Sequence, residues 1–394
     1  MNNIAYELGS QRSCIRELFE YGNRRAKVVG RENVFDFSLG NPCIPAPKQI
    51  NETIQALLQD TPSLLLHGYT SAIGDEATRK AIADDLNARF HAGAAAEDIF
   101  IGCGAAQELC SVMGALCVQD SEIIVPCPYF PEYLPFSRQA GAKLVTIPAV
   151  LPDFSLPVEA IGQAINENTV AVLINSPNNP SGVVYPEHAL QALGKMLEEK
   201  SAHYGHPIYI ISDEPYRELC YDGVTVPFIP GIYANTIVCY SYSKSLSLPG
   251  ERIGYIYVSS KATDAKPLYA AIAGAARALG HVCAPALMQK LIARCASVQP
   301  NLKAYEENRK ALYEGLLSLG YEMPKPEGAF YLFVKAPGGD ANAFSAKAKE
   351  LDLLIVPGDG FGCPGYFRLC YCVAPQTIAG SLPLFARLIR DFQH

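Results

Sequence analysis

The sequence has no block of basic residues. Its 394 residues carry 32 Lys and Arg against 39 Asp and Glu, a net charge of −7, and only 18% are charged. That balance argues against a nucleic-acid partner. No apolar run approaches the length that spans a bilayer, so no membrane is expected either. The opening Met1-Asn2-Asn3-Ile4 lacks the basic and apolar regions of a signal peptide. The expectation is a soluble cytoplasmic protein. None of the 13 cysteines forms a Cys-x-x-Cys pair, so a zinc ribbon or thioredoxin-like motif has no support. Cys103, Cys110 and Cys117 lie seven residues apart; on one helix each step would be roughly 10 Å, too far to share a metal. Cys370 and Cys372 alternate in a strand-like run and face one side. The cysteines read as small buried hydrophobes in a reducing compartment, with no metal site expected. Internal repeats and low-complexity tracts are also missing.

What is present is apolar. At 49% hydrophobic the chain can bury a large core, and its length suggests two or three domains. A polar, helical opening (Gln11 to Gly22) leads to Val34–Gly40 and a stiff connection at Pro42, Pro45 and Pro47. Helical signal follows at Gln49 to Leu58 and Gly74 to Phe90. Strands are then expected at Ile99–Cys103, Glu122–Val125, Lys143–Ile147, Val170–Asn175, Ile208–Ser212, Thr236–Tyr242 and Ile253–Val258. Helical patterns alternate with them. This predicts an α/β fold with a mostly parallel sheet covered by helices on both faces. Ala284 to Leu319 reads as one long helix or two in series. The tail is mixed α and β. The expected division is a large domain over 48–284 and a smaller α+β domain from 1–47 and 285–394.

In such a sheet, ligands bind beyond the carboxyl ends of the strands. After the first strand, Gly104-Ala105-Ala106-Gln107 opens a helix: either an ordinary tight turn or a place where backbone N–H groups meet a phosphate. Gly102-x-Gly104 lacks the third glycine of a dinucleotide site. Ser176-Pro177-Asn178-Asn179-Pro180-Ser181-Gly182 is a fixed loop, through turn chemistry or by presenting amides to a crevice. Asp213, in Ser212-Asp213-Glu214-Pro215-Tyr216, ends a buried strand, where a carboxylate is costly unless a cation pairs with it; the alternatives are an N-cap or a surface position. Lys244 follows two serines in Ser241-Tyr242-Ser243-Lys244, with Arg252 eight residues on. Its amine attacks carbonyls only when deprotonated, against a reference pKa of about 10.4, which burial and a second cation lower. Ser241-x-x-Lys244 also matches a serine β-lactamase pattern, but the Ser-Asp-Asn and Lys-Thr-Gly segments of that pattern are missing. Together the strand ends ask for a ligand anionic at one end, cationic opposite Asp213, and reactive with an amine. Pyridoxal 5'-phosphate fits.

With these residues in place, the chain resembles the fold-type-I aminotransferases of class I/II, the aspartate aminotransferase superfamily. The match runs nearly end to end. It takes in Gly68-Tyr69-Thr70 with Gly74, Gly104-Ala105-Ala106, Pro128-Tyr129-Phe130, Asn178-Asn179-Pro180-Ser181-Gly182, Asp213-Glu214-Pro215-Tyr216 and Ser241-x-Ser243-Lys244. Gly250-x-Arg252-x-Gly254-Tyr255, Pro326-Glu327-Gly328-Ala329-Phe330-Tyr331 and Gly365-Tyr366-Phe367-Arg368 continue it. The resemblance implies that Lys244 carries the cofactor through its amine and shuttles a proton. It implies that Asp213 keeps the pyridine nitrogen protonated, and that Asn179 and Tyr216 bond the phenolic oxygen. Ser241, Ser243, Arg252, the Gly104 turn and the N–H groups of Ala105 and Ala106 would hold the phosphate. Phe130 would stack on the ring. Arg368 would grip the substrate α-carboxylate as a bidentate fork, with Gly40 close by. Tyr69 would reach the neighbouring subunit's cofactor, making a homodimer with shared active sites the expected unit.

Three departures stand out. Phe130 is at a position often tryptophan. Glu251 precedes the phosphate arginine where a bulky residue is common. Ala106 takes a place where some bacterial relatives that use aspartate have lysine, which weakens a claim for dicarboxylate specificity; Arg12, Arg16 or Arg24 are other candidates for that charge. The reaction expected is transfer of an amino group from an L-amino acid to a 2-oxo acid by ping-pong kinetics, with aspartate or a broad range of donors. The rival is a C–S β-lyase on the same fold. A non-catalytic domain of a transcription regulator is disfavoured, since no DNA-binding module or basic face accompanies it.

Overall fold

Short β-branched runs alternating with helical ones build a helix-covered sheet. The computed structural model describes Met1, residues 3–10 and residues 14–392. Seven strands form the central sheet: β1 (Ile99–Gly102), β2 (Glu122–Pro126), β3 (Lys143–Ile147), β4 (Thr169–Asn175), β5 (Tyr209–Asp213), β6 (Thr236–Ser241) and β7 (Gly254–Val258). Their order is β1-β7-β6-β5-β4-β2-β3. β7 alone runs against its neighbours, pairing antiparallel with β1 and β6, and every other pairing is parallel. Strands β4 to β6 are buried almost throughout, as interior strands covered on both faces must be.

Period two sorts their side chains between two cores. Ala171 and Leu173 of β4 join the core under helices Ala105–Leu116 and Ala265–Ala278. Val172 and Ile174 join the opposite one, under Val158–Ala164 and Glu187–Tyr204. The fold is therefore the expected α/β arrangement.

A second, antiparallel sheet has the order β9-β10-β8, from β8 (Tyr331–Lys335), β9 (Val356–Pro357) and β10 (Tyr366–Cys370). Its core includes Phe37 from the N-terminal segment and Phe385 and Leu388 from the helix Pro375–Phe392. Phe35–Asp36 pairs in parallel with Leu353–Leu354. That pairing draws Ser38–Asn41 across to β10. The stretch from Ala284 is two helices, Ala286–Cys295 and Leu302–Ser318; Pro300 between them has no N–H to continue a helix. The opening is helical over Asn3–Ser10 and Cys14–Val29; Gln11 and Arg12 fall outside the described residues. No described helix is long and apolar enough to cross a membrane.

Candidate active site

The carboxyl ends of β4, β5 and β6 open onto a cavity of about 290 Å³, closed on its far side by β10 and the Ser38–Asn41 segment. Gly40, Ala105, Ala106, Phe130, Asn179, Asp213, Tyr216, Ser241, Ser243, Lys244, Arg252 and Arg368 all line it. The sequence points to all of them, and they come from segments far apart along the chain, from Gly40 to Arg368. Tyr69 does not line the cavity; it is 89% exposed.

At one end the chain is shaped for an anion. Gly104 has φ +88°, and a Cβ there would lie 2.8 Å from Arg252 Nη2 and 3.2 Å from Ser241 Oγ. Only glycine suits both demands. It opens the helix Ala105–Leu116, whose first N–H groups have no intrahelical acceptor. Ser241 Oγ and Ser243 Oγ are 2.8 Å apart, and Arg252 Nη1 donates to Ser243 Oγ at 3.4 Å. Hydroxyls, a guanidinium and a helix N-terminus thus converge.

On the floor, two adjacent acids have different fates. Glu214 accepts from Arg217 Nε at 2.5 Å and from Ser212 Oγ at 2.6 Å. Asp213 has no cation among the described residues. Its Oδ2 accepts from Tyr133 at 2.6 Å, while Oδ1 is buried with no partner among them. Burial pushes this carboxyl up to about 7; Tyr133's hydrogen bond opposes the shift and Glu214 adds to it. The folded value lies above that of a free Asp, so Asp213 stabilises the unliganded fold at acid pH. That contribution is present below about pH 4 and lost as pH rises through about 7. Unliganded wild type should lose on the order of 3–4 kcal/mol relative to Asp213→Asn across that interval. Urea unfolding of both proteins at its two ends measures the difference; parallel pH trends would contradict it.

Lys244 sits in the short helix Tyr242–Ser245, whose N-cap Ser241 accepts from the Ser243 N–H. Its Nζ donates to Gly40 O at 2.6 Å. Burial lowers its pKa, and Arg252 and Arg368 push the same way against the nearby Cys372 and Cys370 thiols. Arg368, 2% exposed, donates from Nη1 to Asn179 Oδ1 at 3.0 Å and from Nη2 to Ser38 O at 2.6 Å, leaving Nε without a partner among the described residues. Its guanidinium lies 4.7 Å from the Tyr331 ring centroid and 5.0 Å from that of Phe361. Tyr216 and Tyr331 share a hydroxyl contact at 2.8 Å.

The sequence reading gave no role to three residues that organise this site. Tyr133 holds Asp213. Asn175 donates to Asp213 O at 2.8 Å and accepts from the Asn179 N–H at 2.7 Å, tying two strand ends together. Tyr331 braces Tyr216 and faces Arg368. Tyr133 stands one helical turn after Phe130, the only local signal it gives. Glu251 is exposed, so its charge stays in water.

A family model described as aminotransferase class I and II matches residues 32–380. A solved amino transferase from Eubacterium rectale is 53% identical, covers 100% of this chain and 99% of its own, and superposes with a TM-score of 0.98. A probable aspartate/prephenate aminotransferase of Thermus aquaticus is 29% identical over 382 residues, 93% of this chain and 95% of its own. Aromatic-amino-acid aminotransferase 2 of Thermococcus litoralis is 26% identical over 398 residues, 96% of each.

Proposed function

This chain belongs to the class I and II aminotransferase family, and we propose that it uses pyridoxal 5'-phosphate to move an amino group from an L-amino acid to a 2-oxo acid. The observation that carries the reading is the bare oxygen of Asp213. A pyridinium N–H would give Oδ1 the partner it lacks and draw the carboxyl back to its charged form. The anion end, with Gly104, Ser241, Ser243, Arg252 and the N–H groups of Ala105 and Ala106, suits the phosphate. Asn179 and Tyr216 would bond the phenolic oxygen, and Phe130 would stack on the ring.

When bound, the cofactor supplies an electron sink for charge developing at the substrate Cα. Lys244 would carry the cofactor through an amine that burial keeps ready to lose its proton. It would also take the proton from the substrate Cα and hold it for return during the transfer. Arg368 would turn its fork from Asn179 and Ser38 to the substrate α-carboxylate, beside Gly40. Orientation and charge placement are the protein's contribution.

Further parts of the reading are structural. Residues 48–284 form the cofactor-binding large domain, and 1–47 with 285–394 the smaller one. Tyr69 reaches the cofactor of a second copy, in a homodimer with shared active sites; Leu64 and Leu65, close by in sequence, are likewise exposed apolar side chains that a partner would cover. The cytoplasm, where free thiols persist, is the proposed site of action. The described cavity lining has no cation beyond Lys244, Arg252 and Arg368 and includes Ile15, Leu39 and Phe130. That lining favours a broad range of donors over strict aspartate specificity.

A screen of the standard amino acids against cofactor-loaded protein tests the function. Each active donor should change the cofactor spectrum once per site, with continued turnover only when a 2-oxo acid is added. Sustained release of pyruvate and ammonia from one amino acid alone would favour the β-lyase instead.

A further inference from the structure

Cys370 and Cys372 lie beside the active site, and the proposed reaction gives them no part. Cys370 ends β10, two residues past Arg368, and Cys372 follows just beyond the strand. Both are buried, and their Sγ atoms are 2.8 Å apart. Cys372 also donates to Asn41 O at 3.1 Å. Asn41 closes the short strap Ser38–Asn41, two of whose other carbonyls serve the active site: Ser38 O accepts from Arg368 and Gly40 O from Lys244. One four-residue strap is therefore bonded to Arg368, to Lys244 and to a thiol of the pair.

Two further observations bear on reactivity. Cys372 is among the residues lining a second cavity of about 600 Å³, with Phe19, Asn41 and Cys43, so open space comes up to the residue that partners Cys370. Burial opposes ionisation of Cys370, but the hydrogen bond from Cys372 and the charges of Arg368 and Lys244 outweigh it, so this thiol is held below its usual range. A thiolate in contact with a second thiol is the reactive arrangement for oxidation.

We propose that Cys370 and Cys372 form a peroxide-sensitive dithiol that sets the position of the Ser38–Asn41 strap. The thiolate of the pair attacks one oxygen of hydrogen peroxide. The O–O bond breaks, and the departing hydroxide takes a proton from the medium to become water, leaving a sulfenic acid. The second thiol attacks that sulfur; the S–S bond forms, the S–O bond breaks, and the thiol proton leaves with the oxygen as a second water. Two sulfurs are oxidised and one peroxide is reduced. The disulfide removes the donor that Asn41 O accepts. It also draws together two Cα atoms that extended spacing holds about 6.6 Å apart, towards the roughly 5.5–6 Å a disulfide prefers. The strap shifts, and with it the wall beside Arg368. The catalytic consequence rests on the reading of Arg368 as the carboxylate fork; the oxidation itself does not.

The test treats cofactor-loaded protein with hydrogen peroxide, alkylates the remaining thiols and maps peptides by mass. The peptide holding both cysteines should be lighter by two hydrogen atoms and restored by dithiothreitol. For the fastest of the standard amino acids as donor, KM should rise by about tenfold with a smaller change in kcat, also reversibly. Cys370→Ser should abolish both changes, and Cys372→Ser serves the same purpose if the first variant does not fold. Oxidation confined to the exposed Cys14 and Cys43, with both buried thiols still free, would overturn the site. A disulfide with unchanged KM would overturn its coupling to the strap. A protein that turns over no amino acid would contradict the aminotransferase reading, while the mass shift would still decide the dithiol.

Discussion

Lys244→Ala should give a folded protein with no visible cofactor absorption band at the wavelength of the wild type and no multiple turnover. Lys244 is the only lysine among the described residues lining the cavity, so no other amine there can take its place. Truncation removes one hydrogen bond to Gly40 O and also relieves a poorly solvated cation, so the fold should survive. The chemistry should not. Loss of the proton-transferring group alone costs on the order of a hundredfold to ten-thousandfold in rate. Loss of the cofactor's attachment adds to that. Absorption spectroscopy and a turnover assay check the result together; retention of the band and of turnover would refute the assignment.

Asp213→Ala should cost on the order of 3–5 kcal/mol of cofactor binding, as expected when one partner of a buried charged pair is removed. That is about a hundredfold or more in the dissociation constant. The variant also strips Tyr133 of its acceptor in a buried setting. Neighbouring Glu214 cannot substitute, because Arg217 and Ser212 already hold it. Titration of unliganded protein with pyridoxal 5'-phosphate measures the affinity, and the half-reaction measures the rate. Near-normal values for both would mean that Asp213 does not hold the pyridinium.

The strand ends were legible because buried parallel strands read as plain apolar runs, and the residue that stops each run stands out. Asp213 after Ile208–Ser212 and Lys244 after Thr236–Tyr242 are of this kind. Arg368 is legible through the resemblance, and its place fits: a guanidinium inside an apolar strand needs a partner. What escaped was pairing across long separations. Tyr133 reaches Asp213 over 80 positions and Arg368 reaches Asn179 over 189, and no local spacing encodes either contact. The alternation of Cys370 and Cys372 was visible, but the strap that lies against them comes from more than 300 residues away. The sequence does not place the break between Ala286–Cys295 and Leu302–Ser318, because the helical pattern persists on both sides of Pro300.

The central claim is that Lys244 carries the cofactor. Sodium borohydride reduction of the protein loaded with pyridoxal 5'-phosphate, followed by digestion and peptide mass mapping, tests it most directly. A pyridoxyl phosphate mass on the peptide containing Lys244, and on no other, is the predicted result. Label on a different lysine, or no label at all, would contradict it.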